Sequence, residues 1–256
     1  MMHVHRFGSG PDAFFCLHGW GGNHLTYAPL APLAPSSASL YAPDLPGYGR
    51  SAPPSTWSAD AIADEVADAI ERIGGPPVTL VGNCSGAVLG LLAAQRRPNL
   101  VARIVLVDAF AFVPWYFKVF VRPGMGPIAY RSTFANPIGR WLTNASLRKR
   151  RTADTHLTES FREIDHDVSL RYLELLDAID GISRFRGVSC PVDIVHGART
   201  FAAVKTSAAQ WQALWPHARR FELAGAGHLP IEEATVELAS MLFPSPAAKS
   251  DARGIA

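Results

Sequence analysis

The chain has 256 residues, 48% of them hydrophobic and 18% charged, which is enough apolar material for a sizeable core and excludes global disorder. A formal net charge of +2 excludes the strongly basic surface that bulk nucleic-acid binding requires. The three cysteines, Cys16, Cys84 and Cys190, are widely spaced, with no CxxC and no metal-ligand pairing, and read as free thiols of a reducing compartment.

In chain order, the opening MMHVHRFGSGPDAFF lacks the charged start and long apolar run of a signal peptide. No apolar stretch approaches the roughly 18 residues that span a bilayer, so the cytoplasm is the expected location. Residues 13–17 and 39–42 read as strands, and 59–73 as a helix capped by Ser58. A strand at 78–81, a helix at 87–97 and a strand at 104–107 follow. Further on, the pattern gives strands at 192–195 and 219–223 and helices at 204–214 and 231–242. Alternating strands and helices, with nearly continuous apolar strands, predict an α/β fold with a mostly parallel sheet covered on both faces. No internal repeat is visible, and 244–256 reads as a disordered tail.

The rhythm breaks between Ala109 and Arg186, where aromatic-rich helical patches replace strands. This segment is read as a helical lid over 110–186, splitting the core into 1–109 and 187–243. From Ala109 to Ala153 it carries eight Lys or Arg and no Asp or Glu, including the run Arg148, Lys149, Arg150 and Arg151. Such a run is either a solvated helix end or a docking face for an anionic carrier.

The stretch TLVGNCSGAVLG, residues 79–90, runs from strand through a tight turn into a helix. Gly82 and Gly86 remove side chains where the chain reverses, so Cys84 can be held in a strained, exposed pose. The helix that follows points its N–H groups at Cys84, which favours a thiolate and an oxyanion. A small buried filler is the alternative reading of Cys84. Three further stretches stand in a defined order around it: LHGWGG (17–22), DLPGYGRS (44–51) and GAGHLP (225–230).

Together the four motifs resemble the α/β-hydrolase fold superfamily over nearly all of 13–243. LHGWGG and DLPGYGRS are similar to the pimeloyl-carrier-protein methyl ester esterases. VGNCSGA is similar to the GNSMGG elbow of the carbon–carbon bond hydrolases, with cysteine in place of serine. The resemblance implies a helical lid inserted after the sixth strand. It further implies Cys84 as nucleophile, His228 as general base, and an oxyanion hole from the backbone N–H groups of Ser85 and Trp20. His18 is expected to hold the oxyanion loop and Asp44 to form its turn. His24 is left unassigned, and Cys16 and Cys190 read as inert core thiols.

The third catalytic residue of that family usually follows the strand PVDIVHG, in a pattern like HGxxD. Here HGART puts Thr200 in that place, and no Asp or Glu occurs from Thr200 to Phe221. Two repairs are open. Asp108, after the preceding strand, could orient His228, as the acid of some dehalogenases does, or could be a strand-end residue. Alternatively a thiolate–imidazolium pair needs an acid less than serine does, because its imidazolium already exists at rest.

A cysteine nucleophile forms an acyl-thioester, which exchanges with a thioester substrate at little thermodynamic cost and with an oxygen ester uphill. The reading is therefore an acyl-thioester or ester hydrolase or cyclase. Its small acyl substrate could be presented on CoA or an acidic carrier protein docked at Arg148–Arg151. Trp115, Phe117 and Trp141, with Tyr116, Phe120 and Phe134, would line an apolar acyl chamber or simply pack the lid. No cofactor and no metal site are expected. The alternatives are a lyase that uses His228 as base without acylation, and a non-catalytic binding member.

Overall fold

Strand residues sort onto two faces with a period of two. Phe14, Cys16, Val81, Val105, Val107 and Val195 enter one buried cluster, and Phe15, Leu17, Leu80, Ile104, Leu106 and Ile194 the other. Both faces of the central strands are covered, so those strands are nearly continuous apolar runs. The computed structural model describes residues 1–179 and 181–243. The expected disordered tail, 244–256, lies outside the described residues.

The strands are β1 (Val4–Gly8), β2 (Asp12–Leu17), β3 (Ala38–Pro43), β4 (Val78–Asn83), β5 (Val101–Val107), β6 (Val192–Gly197) and β7 (Arg219–Leu223). They form one sheet in the order β1-β3-β2-β4-β5-β6-β7. Only β1 pairs antiparallel, against β3, and the other pairs are parallel. The helices are α1 (Ala59–Ile73), α2 (Ser85–Arg96), α3 (Trp115–Lys118), α4 (Met125–Tyr130), α5 (Pro137–Ser146), α6 (His166–Asp177), α7 (Ala202–Leu214), α8 (Pro230–Glu233) and α9 (Thr235–Leu242). No helix among the described residues is long and apolar enough to cross a membrane.

The six strands read from sequence are all present. The seventh, β1, has no apolar run: VHRFG is half-exposed at the sheet edge, where alternation alone carries the signal. Helix α1 starts as expected, with Ser58 Oγ accepting the Ala61 N–H at 3.1 Å. The helix expected over 231–242 is two helices, broken at Ala234, whose extended φ of −142° interrupts the turn. A 3-10 run, His24–Leu33, carries Pro29 and Pro32, which hide it from a search for helical periodicity. It is anchored by Tyr27, whose hydroxyl donates toward the carbonyls of Leu17 and Val81 at 2.8 and 3.1 Å.

Between β5 and β6, the described residues form helices and turns and no strand. The insertion thus follows the fifth strand of this sheet and not the sixth, because a single strand, β1, precedes β2. Parallel strands β2, β4, β5 and β6 all end at one edge of the sheet, and the helical insertion leaves from that edge. The loops that follow those strand ends carry the residues singled out from sequence.

Candidate active site

Two residues other than glycine have φ in the left-handed region among the described residues: Cys84 at 51° and Asp108 at 50°. Each follows a strand end directly and is pinned by its neighbour, Cys84 N–H on the Val107 carbonyl and Asp108 N–H on that of Val195. Such backbone costs about 1–3 kcal/mol per residue and persists only where the surroundings impose it. The surroundings here leave no alternative. A Cβ on Gly82 would stand 2.3 Å from Ala87 Cα, and one on Gly86 would stand 2.3 Å from the His18 carbonyl oxygen. Cys84 therefore sits as the N-cap of α2, at φ 51° and ψ −117°, with the helix N–H groups converging on it.

His228 faces that elbow. Its Nδ1 lies 2.5 Å from Asp108 Oδ2, and the Cys84 thiol is near enough to act on the same imidazole. Burial by itself would push the imidazole down. The bonds and charges of Asp108 and Cys84 outweigh it and hold His228 at about 10, against an ordinary 6.5. Phe110 and Phe201 flank the ring, with centroids 5.6 and 4.8 Å away.

Asp108 is fully buried, and its carboxylate is held from three sides. The Gly197 N–H donates to Oδ1 at 2.9 Å, while the Thr200 hydroxyl and His228 share Oδ2. Thr200, which stands where the acid was missed, is thus not a gap. Its hydroxyl is bonded to Asp108 and lies 3.3 Å from His228 Nδ1. The sequence brings Cys84, His228 and Asp108 into one constellation from three strand ends.

The loop after β2 packs directly on the elbow, since a Cβ on Gly19 would stand 2.9 Å from that of Cys84. No turn or loop carbonyl among the described residues accepts the N–H of Trp20 or Ser85. His18 fixes this loop: Nδ1 meets the Gly19 carbonyl at 2.8 Å, and Nε2 accepts the Leu45 N–H at 2.9 Å. Burial lowers His18 to about 4, only partly offset by the Gly19 carbonyl and Asp44, so it stays neutral and does not shuttle protons. Asp44 accepts the N–H groups of His24 and Arg50 and holds the turn. Cys16 is buried in the sheet, and burial raises both it and Cys190.

Beside the constellation lies a cavity of about 850 Å³. Phe117, Tyr116, Phe120 and Phe134 line it, but Trp115 and Trp141 do not. Those two indoles are 77% and 68% exposed. Each stands two residues, about 200° around its helix, from a wall residue: Phe117 for Trp115 and Thr143 for Trp141. The cavity wall also holds buried polar atoms without a partner among the described residues, namely Asn83 Oδ1, Tyr116 OH and Trp211 Nε1. Of these three, only Tyr116 is among the residues read from sequence as lining the chamber.

The basic run divides in two. Arg148 and Lys149 are exposed, whereas Arg150 and Arg151 are half-buried and bonded inward. Arg150 donates to the Thr200 carbonyl at 2.9 Å, and its own carbonyl accepts the His228 N–H at 2.8 Å. Arg151 donates to the carbonyls of Thr152 and Thr155 at 2.9 and 2.5 Å. Glu233, not singled out from sequence, ties this strap to the histidine loop. It accepts from Gly227 N–H and Thr152 N–H, both at 2.6 Å, and from the Thr155 hydroxyl at 2.6 Å.

The chain has relatives in sequence and in fold. Lipase LipV of Mycobacterium tuberculosis is 35% identical over 42% of this chain, and the chain spans 41% of that protein's length. A pimeloyl-[acyl-carrier protein] methyl ester esterase of Aromatoleum aromaticum is 28% identical over 84% of this chain and 90% of its own. Among solved structures, a thermophilic esterase of Thermogutta terrifontis superposes with a TM-score of 0.76 at 17% identity, covering 94% of this chain and 91% of that one. The family model for the alpha/beta hydrolase fold matches residues 12–235, and the chain belongs to that family.

Proposed function

We propose that the protein is an acyl hydrolase that works through a Cys84 acyl-enzyme, with His228 as general base and Asp108 as the acid that orients it. The observation that carries this reading is the Cys84–His228–Asp108 relay, with the thiol strained at the end of β4 and Nδ1 2.5 Å from a buried carboxylate. The names of the relatives, a lipase and two esterases, support ester-type chemistry.

In the proposed sequence the Cys84 sulfur attacks the carbonyl carbon, and the N–H groups of Trp20 and Ser85 receive the developing oxyanion. Collapse breaks the bond to the leaving thiol or alcohol, which takes a proton from His228. Water then gives its proton to His228 and attacks the acyl carbon, and Cys84 leaves as thiolate. A hydroxyl or amine of the same acyl chain, attacking in place of water, would close a ring. Asp108 keeps the imidazole in one tautomer and stabilises its charged form.

The cavity favours a small acyl group with polar substituents, because a plain hydrocarbon would leave Tyr116 OH and Trp211 Nε1 unpaired. In this reading the helical segment over 110–186 is a lid, and Arg148 and Lys149, the two exposed members of the basic run, meet CoA or an acidic carrier protein. Matched substrates test the chemistry. With one acyl group presented as a CoA thioester and as a methyl ester, kcat/KM is expected to favour the thioester. Equal or reversed preference argues against a cysteine acyl-enzyme.

A further inference from the structure

At the opposite end of β1 from its turn, three histidines gather around a buried carboxylate that the proposed chemistry does not use. His3 and His5 sit two apart on edge strand β1 and its lead-in, and therefore face the same way. The His24 ring lies 5.5 Å from that of His3 and 5.1 Å from that of His5, centroid to centroid. Asp44 is fully buried beneath them, with Oδ1 2.8 Å from His24 Nδ1.

The hydrogen bond between His24 and Asp44 accounts for one pair of atoms only. His3 Nε2 is buried and has no partner among the described residues. One donor atom from each of His3, His24 and Asp44 lies within 4.8 Å of the others. Donors of a tetrahedral zinc site, with bonds of about 2.0–2.2 Å, stand roughly 3.3 Å apart, so small side-chain rotations would close the set. The backbone beneath is rigid. Asp44 N–H donates to the His3 carbonyl at 2.9 Å, His3 N–H to Ser51 Oγ at 2.8 Å, and Ser51 Oγ to the Asp44 carbonyl at 2.6 Å.

We propose that His3, His24 and Asp44 form a binding site for a divalent first-row transition cation of the zinc class. Two imidazoles and one carboxylate are the ligand types that such ions prefer over calcium or magnesium. His5 or water supplies the fourth position. The ion's role is structural: it joins edge strand β1 to the segment that leaves the oxyanion loop at His24. Only the His3-x-His5 spacing is visible in sequence; the three proposed ligands are 21 and 20 residues apart and no motif joins them.

The test is metal uptake, not hydrolysis. After dialysis against EDTA, the full chain is titrated with Zn2+ by calorimetry and with Co2+ by visible absorption, alongside His3→Gln, His24→Gln and, as an exposed control, His156→Gln. The expected result is one ion per chain, tetrahedral Co2+ bands, and a rise in unfolding temperature with Zn2+. His3→Gln, which keeps the backbone bonds of residue 3, and His24→Gln are each expected to weaken Zn2+ binding at least about 100-fold, with His156→Gln unchanged. No stoichiometric uptake, or uptake unaffected by His3→Gln, would overturn the proposal. Either outcome leaves the Cys84 chemistry untouched.

Discussion

At the scale of the residue, the site depends on where one carboxylate sits. Asp108 Oδ2 serves both His228 and Thr200, and Asp108 and Cys84 are what raise His228 in the face of its burial. Asp108→Asn keeps the shape but removes the charge, so the imidazole should titrate well below about 10 and kcat/KM should fall by about 10²–10³-fold, less than the roughly 10⁴ of a serine triad. Because Thr200 Oγ1 stands 3.3 Å from His228 Nδ1, adding Thr200→Asp to that variant should recover part of the loss. Steady-state kinetics and NMR titration of the His228 ring check both; no recovery would mean that position 200 cannot orient the base. The sequence puts Thr200 at the usual acid position and leaves open whether Asp108 supplies the acid or a Cys–His pair does without one. The choice is made by the backbone after β5, which turns into the left-handed region and aims Asp108 at His228.

At the scale of the element, the strand–turn–helix unit of β4 and α2 was legible because its glycines are required by contact: both Gly82 and Gly86 touch backbone where a Cβ would go. The chamber was less legible. Aromatic content identified the insertion, but short helices with irregular joins hide which ring points inward, hence Phe117 in the wall and Trp141 in solvent. The basic run 148–151 reads equally as a solvated helix end or a docking face, because a run of arginines looks the same whether its guanidinium groups bind carbonyls or water; in the fold its second half opens an inward-bonded strap over 150–155. Glu233 holds this strap to the loop that carries His228, through hydrogen bonds to a charged acceptor worth about 1.5–3 kcal/mol each. Glu233→Gln is expected to lower the unfolding temperature. It should also cut kcat by about 10- to 100-fold through misplacement of the base, with KM little changed. A drop in stability with kcat intact would reduce Glu233 to a purely structural residue.

At the scale of the whole molecule, parallel strands deliver their loops to one edge, so residues 84, 108, 200 and 228 meet although 144 positions separate the first from the last. That meeting also links folding to pH. The folded chain keeps the His228 proton up to about 10, whereas the unfolded imidazole releases it near 6.5. The stability contributed is therefore complete below about 6.5, shrinks as pH rises, and is gone above about 10. Between those limits the wild type should lose unfolding free energy relative to His228→Gln. Parallel pH profiles for the two proteins would show that His228 is not held protonated. The parallel sheet was readable from apolar runs, while β1 was not, since a half-exposed edge strand has only one face to bury.

One experiment bears on all of this: rapid-quench peptide mass spectrometry of the chain mixed with an acyl thioester. The expected result is an acyl mass on the Cys84 peptide within the first turnover, with no adduct and no thiol release above buffer in Cys84→Ala. Turnover by Cys84→Ala at the wild-type rate, with Cys84 of the wild type never acylated, would contradict the cysteine acyl-enzyme.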